Sequence, residues 1–233
     1  MMNTITKREI VIDTETTGMN SKGCFYKGHR IIEISCIEIF NRNITGKVFH
    51  TYLQPDRTID DSAYNIHGIS ENFLHDKPKF KDVVKFFFSF IKNSNLIIHN
   101  AMFDIAFINY ELELINFHIK NIEKKYKVID SLSIARNLFP GKKNNLNALC
   151  DRYKIENKSR KLHSALLDSQ LLAKVYLKMT SYQKVMCFDN SYKFKSKLKN
   201  HIKYKFIVIF ANEKEIHKHD DYLFFIKKIT KLS

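Results

Sequence analysis

Asp13 and Glu15 close a short apolar run in REIVIDTETTGMN, residues 8–20, with one threonine between them. On a strand, residues i and i+2 project to one face, so the two carboxylates stand side by side if the strand reaches Glu15. Such neighbours repel unless a cation, a proton or an arginine offsets them, and the arginine nearest in sequence is Arg8. A rigid pair of hard oxygens suits Mg²⁺ or Mn²⁺ better than zinc. On this stretch alone, a solvated strand end is an equally good reading. Asp104, in HNAMFDIAF, falls at a helix start, where the backbone dipole already favours an acid. In HSALLDSQLLAKVY, His163 and Asp168 are five apart, about 140° around a continuous helix. They converge only if His163 precedes the helix and leans back over it.

The acids gain weight as a set. D-x-E, a distant Asp and H-x4-D arrive in that order, each at a strand end or helix start, where sites of α/β proteins gather. Their charge matches two divalent cations. Two such ions about 4 Å apart can activate a water and stabilise the leaving oxygen of an in-line phosphoryl displacement. His163 is then placed to be the general base.

The elements that must position these groups follow from apolar periodicity. EIVID (9–13), IIEISCIEIF (31–40) and VFHTYLQ (48–54) read as strands, with NRNITG as a hairpin connection. Residues 79–92 carry apolar side chains at a helical period. LIIH (96–99) and KVID (127–130) are further strands, and helices are expected over 101–115, 131–138, 146–153 and 165–179. The fold expected is α/β: a mixed five-stranded sheet, antiparallel hairpin plus parallel strands, flanked by helices and followed by a C-terminal tail. After Met179 the pattern becomes lysine-rich, and residues 190–233 hold 11 Lys against 4 acids.

Composition narrows the class. The chain has 233 residues and a net charge of +15, which favours polyanionic partners, although an AT-rich codon bias explains part of the lysine excess. No apolar run approaches the ~20 residues of a membrane span, and no secretory leader is visible, so a cytoplasmic protein is expected. Cys24, Cys36, Cys150 and Cys187 show neither disulfide-framework nor zinc-ligand spacing.

VIDTETTGMN, HNAMFDIAF and LHSALLDSQLLA are similar to the three motifs of the DEDDh 3′→5′ exonucleases of the ribonuclease H-like fold. HRIIEI, NIHGIS, VIDSL and FPGKKNNLNALC extend the likeness to the proofreading subunits of bacterial DNA polymerase III, over roughly residues 7–180. The resemblance implies two divalent cations, Mg²⁺ or Mn²⁺, held by Asp13, Glu15 and Asp168, with Asp104 completing the set through water and His163 as general base. It also implies substrate contacts at Asp13, Glu15, Asp168, Thr16, Thr17 and His67. Ser62 stands where relatives often carry a Glu that touches substrate. The implied reaction is hydrolysis of the 3′-terminal phosphodiester of a DNA primer, with release of 5′-monophosphates. Gln183, Met186 and Phe188 in QKVMCF resemble a sliding-clamp-binding peptide, and the last segment resembles the tail that attaches to the catalytic alpha subunit. Whether a small theta-like subunit also binds is left open. The domains expected are a nuclease domain (1–180), a basic linker (181–205) and a polymerase-binding segment (206–233). A stand-alone RNA-trimming exonuclease and a catalytically silent nucleic-acid adaptor are the alternative readings.

Overall fold

A computed structural model describes residues 8–157, 162–181 and 217. The chain divides into two compact units, Met1–Val185 and Met186–Ser233. The expected clamp peptide lies outside the described residues, as does the polymerase-binding segment apart from residue 217.

Strand β1 (Arg8–Thr16) is central, and its Ile10, Val11 and Ile12 are fully buried. This is the continuous apolar composition of a strand covered on both faces. Antiparallel to it runs β2 (Ile31–Phe40), which turns into β3 (Asn43–Tyr52). The hairpin connection is tighter than the sequence suggests. Only Asn41 and Arg42 form it, both at positive φ (48° and 66°), the handedness that matches strand twist in a two-residue turn. NITG instead belongs to β3, where the register slips between Ile37 and Ile39 and Gly46 takes φ 83°.

Two short helices, α1 (Asp61–His67) and α2 (Glu71–Leu74), follow. Neither shows in the apolar pattern, because α1 buries only Ala63 and His67 and α2 only Leu74. Then α3 (Phe80–Ile91) leads to β4 (Asn95–Ile98), α4 (Ala101–Leu114) to β5 (Val128–Asp130), and α5 (Ser131–Leu138), α6 (Leu146–Arg152) and α7 (Ala165–Met179) complete the described part. The sheet order is β3-β2-β1-β4-β5, with β1, β4 and β5 parallel. One sheet face, with Ile10, Ile12, Leu96 and Ile98, packs on α3 and α4. The other, with Val11, Ile37, Ile39 and Ile97, packs on α5, α6 and α7. Alternating side chains of β1 therefore feed opposite layers, which decides where each acid points.

Candidate active site

The strand persists through Glu15, so Asp13 and Glu15 do share a face, and a register shift after Glu15 ends the regular pairing with β2. They line a cavity of about 440 Å³ together with His99, Asp104, His163 and Asp168. Glu15, His163 and Asp168 offer ligand atoms within 4.8 Å of one another. The arginine nearest in sequence plays no part. Arg8 binds Glu38 at 2.6 Å and the carbonyls of Phe90 and Lys92.

His163 lies ahead of α7, whose N-cap is Ser164. Its amide donates to the Ile66 carbonyl at 2.9 Å, and its Nδ1 stands 3.4 Å from Asp168 Oδ2. The loop histidine thus leans back over the helix start, as the five-residue spacing requires. Beneath it, Glu33 of β2 is fully buried and accepts from Ser164 Oγ (3.1 Å), the Ala165 amide (3.0 Å) and the more distant Leu166 amide (3.4 Å), with His50 Nε2 at 2.8 Å. A carboxylate there satisfies amides that the first turn of a helix leaves unbonded and complements its dipole. Two further polar links moor the same helix: Ser35 Oγ to Ser169 Oγ at 2.8 Å, and Tyr176 Oη donating to Glu9 at 3.0 Å. Apolar packing is non-directional, so these contacts fix the axial register that sets Asp168 opposite Glu15.

Asp104 comes from the other layer. It sits in the first turn of α4, 4% exposed, and accepts from Thr14 Oγ1 at 2.7 Å. Burial raises its pKa to about 7, the Thr14 bond works against that, and the nearby Asp130 adds to it. Asp130 in turn accepts from the Asn100 amide (3.0 Å) and the Leu132 amide (3.0 Å), tying the α4 approach to the α5 start. A buried acid held near neutrality beside further carboxylates fits a site that binds divalent cations, because a cation favours the ionised form that burial resists.

Comparison with known proteins identifies the family. The exonuclease family profile matches residues 10–176. DNA polymerase III subunit epsilon of Escherichia coli (strain K12) is 46% identical over 234 residues, 97% of this chain and 96% of that protein. Its counterpart in Buchnera aphidicola subsp. Baizongia pistaciae (strain Bp) is 50% identical over 229 residues, 96% of this chain and 94% of that one. The chain belongs to the DNA polymerase III subunit epsilon family of exonucleases. It is a 3′→5′ exonuclease, a hydrolase, and DEDDh exonucleases use divalent metals. Among solved structures, exonuclease X in complex with 5′-overhanging duplex DNA is 26% identical at a TM-score of 0.57, over 73% of this chain and 90% of that one. The nuclease domain of 3′hExo, a DEDDh family member bound to rAMP, has a TM-score of 0.63 at 18% identity, over 76% of this chain and 92% of that one, and shares the fold.

In this epsilon-family chain, the remaining expected substrate residues lie outside the cavity wall. Thr16 and Thr17 are buried: Thr16 Oγ1 bonds the Gly18 carbonyl at 3.2 Å, and Thr17 Oγ1 accepts from the Arg30 amide at 3.0 Å. Ser62 is exposed on α1. His67 ends α1 rather than standing in a turn, and it is 5% exposed. Its Nδ1 accepts from the Ile69 amide at 3.0 Å, and burial lowers its pKa while the Thr16 backbone works against that. Sequence reasoning missed Glu33 and Asp130 as supports. The available signal for Glu33 was that it is one of two charged residues, with Glu38, inside the largely apolar IIEISCIEIF.

Proposed function

We propose that this epsilon-family chain is the proofreading exonuclease of a replicative DNA polymerase, removing the 3′-terminal nucleotide of a primer strand as a 5′-monophosphate. The observation that carries the reading is the meeting of Glu15, His163 and Asp168 within 4.8 Å, in a cavity that Asp13 and Asp104 also line. Asp13, Glu15, Asp104 and Asp168 would hold two divalent cations, Mg²⁺ or Mn²⁺. When bound, such ions supply activation of the attacking water and neutralisation of charge on the scissile phosphate. His163 Nδ1 stands 3.4 Å from Asp168, which orients the ring for its role as the base that takes the proton from the water. Half-exposed His163 can then pass that proton to solvent. His67, Thr16, Thr17 and Ser62 belong to this reading as substrate contacts through the segments on which they sit.

Discrimination against mispairs comes from melting, because a mispaired terminus unstacks at lower cost and enters a site that accepts a single strand. Residues 1–180 form the nuclease domain in this reading. The 206–233 segment binds the polymerase's catalytic alpha subunit, and Gln183, Met186 and Phe188 of the 181–205 linker bind the sliding clamp. The test is degradation of 5′-labelled paired and mispaired DNA and RNA, with and without Mg²⁺ or Mn²⁺. Faster metal-dependent shortening of mispaired DNA is expected. A preference for RNA, or activity in chelator, would overturn the reading.

A further inference from the structure

The catalytic cavity does not end at the carboxylates. A second cavity of about 560 Å³ adjoins it and shares His99, Asn100 and Asn145 as common wall. The charge changes sign across that wall. Asp13, Glu15, Asp104 and Asp168 line the first cavity, whereas the second has no acid in its lining and carries Arg136 and Lys142. Neither cation is paired with a carboxylate among the described residues, although exposed cations of this protein are paired elsewhere, as Lys79 is with Asp56 at 2.7 Å.

The loop that presents Lys142 is built rather than loose. Gly141 takes φ 71°, the left-handed turn that a side chain would strain. Asn144, 8% exposed, donates to the Phe139 carbonyl at 3.2 Å and the Lys142 carbonyl at 3.0 Å and accepts from Arg152 at 3.1 Å. Arg152 lies 4.2 Å above the Phe139 ring, and Asn145 Oδ1 accepts from the Ala148 amide at 2.9 Å to cap α6. Arg136 approaches from the last turn of α5, on the other side of the same cavity. An acidic chamber for cations thus adjoins a basic chamber whose loop is held in shape by the hydrogen bonds of Asn144.

We propose that the second cavity holds the phosphodiester backbone of the strand immediately upstream of the 3′-terminal nucleotide, with Arg136 and Lys142 contacting its phosphates. The proposal rests on the exonuclease reading of the first cavity. Phosphate contacts of this kind position a strand without reading its sequence, as a proofreader acting on any terminus requires. The pair also draws the strand away from four carboxylates that would otherwise repel it.

The test compares full-length wild type with Arg136→Gln/Lys142→Gln on two probes. One is a single-stranded oligodeoxynucleotide. The other is the nitrophenyl ester of thymidine 5′-monophosphate, which carries a scissile phosphodiester but no upstream strand. In the double variant, the ratio of kcat/KM on the oligonucleotide to kcat/KM on the ester should fall roughly tenfold or more, and the plot of log kcat/KM against log salt should flatten by about 1.4, near 0.7 per lost phosphate contact. An unchanged ratio and slope, or an equal fall on both probes, would overturn the proposal. Wild-type protein that hydrolyses neither probe with divalent metal present defeats the exonuclease reading instead, so the two failures are distinguishable.

Discussion

Buried beside Thr14 and facing Asp130, the Asp104 carboxyl reaches a pKa of about 7. An acid whose pKa rises on folding is held in its protonated form by the folded state more firmly than by the unfolded chain. Its favourable contribution is complete below about pH 4 and is lost as pH climbs to about 7, by at most about 4 kcal/mol. Metal-free wild type should therefore lose thermal stability relative to Asp104→Asn across that range, and Mg²⁺ or Mn²⁺ should recover it more at pH 7 than at pH 5. Melting curves with chelator or metal across pH 4–8 decide this, and a pH-independent difference between the two proteins would contradict it. Asp13 poses the complementary case. Asp13→Ala removes a proposed ligand and relieves carboxylate repulsion, so exonuclease activity should fall by roughly 10³-fold or more, the scale seen when one member of a catalytic set is lost. The metal-free melting temperature should not drop. Retained metal-dependent degradation of a mispaired primer by the folded variant would sink the ligand assignment.

At the level of elements, the site depends on how α7 is moored. Glu33 binds the start of the helix, Ser35 meets Ser169 in its second turn, and Glu9 takes the Tyr176 hydroxyl towards its end. Glu33→Gln keeps the shape and removes the charge from the helix N-terminus. A loss of about 1–3 kcal/mol in chemical unfolding is expected, together with a fall in kcat, because His163 and Asp168 flank that turn. Unaltered kcat in a measurably destabilised variant would separate the mooring from catalysis. Much of this architecture is legible in the sequence. β1 announces itself by a continuous apolar run and α4 and α7 by long apolar-rich segments, and their acids sit at the ends of those segments. The moorings are not legible, because Ser164 and Tyr176 lie 131 and 167 residues from their partners and a strand glutamate looks the same whether it faces water or a helix. α1 escapes for another reason. With Ala63 and His67 as its only buried residues it has no apolar stripe, yet its Ile66 carbonyl receives the amide of His163. Gly68 at its end has φ 69°, and an added Cβ would come within 2.6 Å of Leu162, next to that histidine. Gly68→Ala should cost about 1 kcal/mol or more through the backbone alone and slow the reaction through His163. Wild-type kcat in that variant would show that the contact does not govern the base.

For the whole molecule, the first compact unit ends at Val185, and residues 190–233 carry 11 Lys against 4 acids. Deleting 190–233 should leave nuclease activity within about twofold, since the described cavity wall is built from residues 13–168, and should abolish co-purification with the polymerase's catalytic subunit. Continued co-elution of the truncated protein would refute the assignment of the tail. Among the described residues, no helix is long and apolar enough to cross a membrane. The size of the catalytic cavity carries one more consequence. At about 440 Å³ it matches a single nucleotide, and in the proposed reading a paired end enters only after giving up its stacking and pairing, at a cost of a few kcal/mol. On that reading, a base is not compared with its template inside the site. What is sampled is how long a terminus stays open, and accuracy becomes a matter of waiting times, set jointly by reannealing, extension and cleavage.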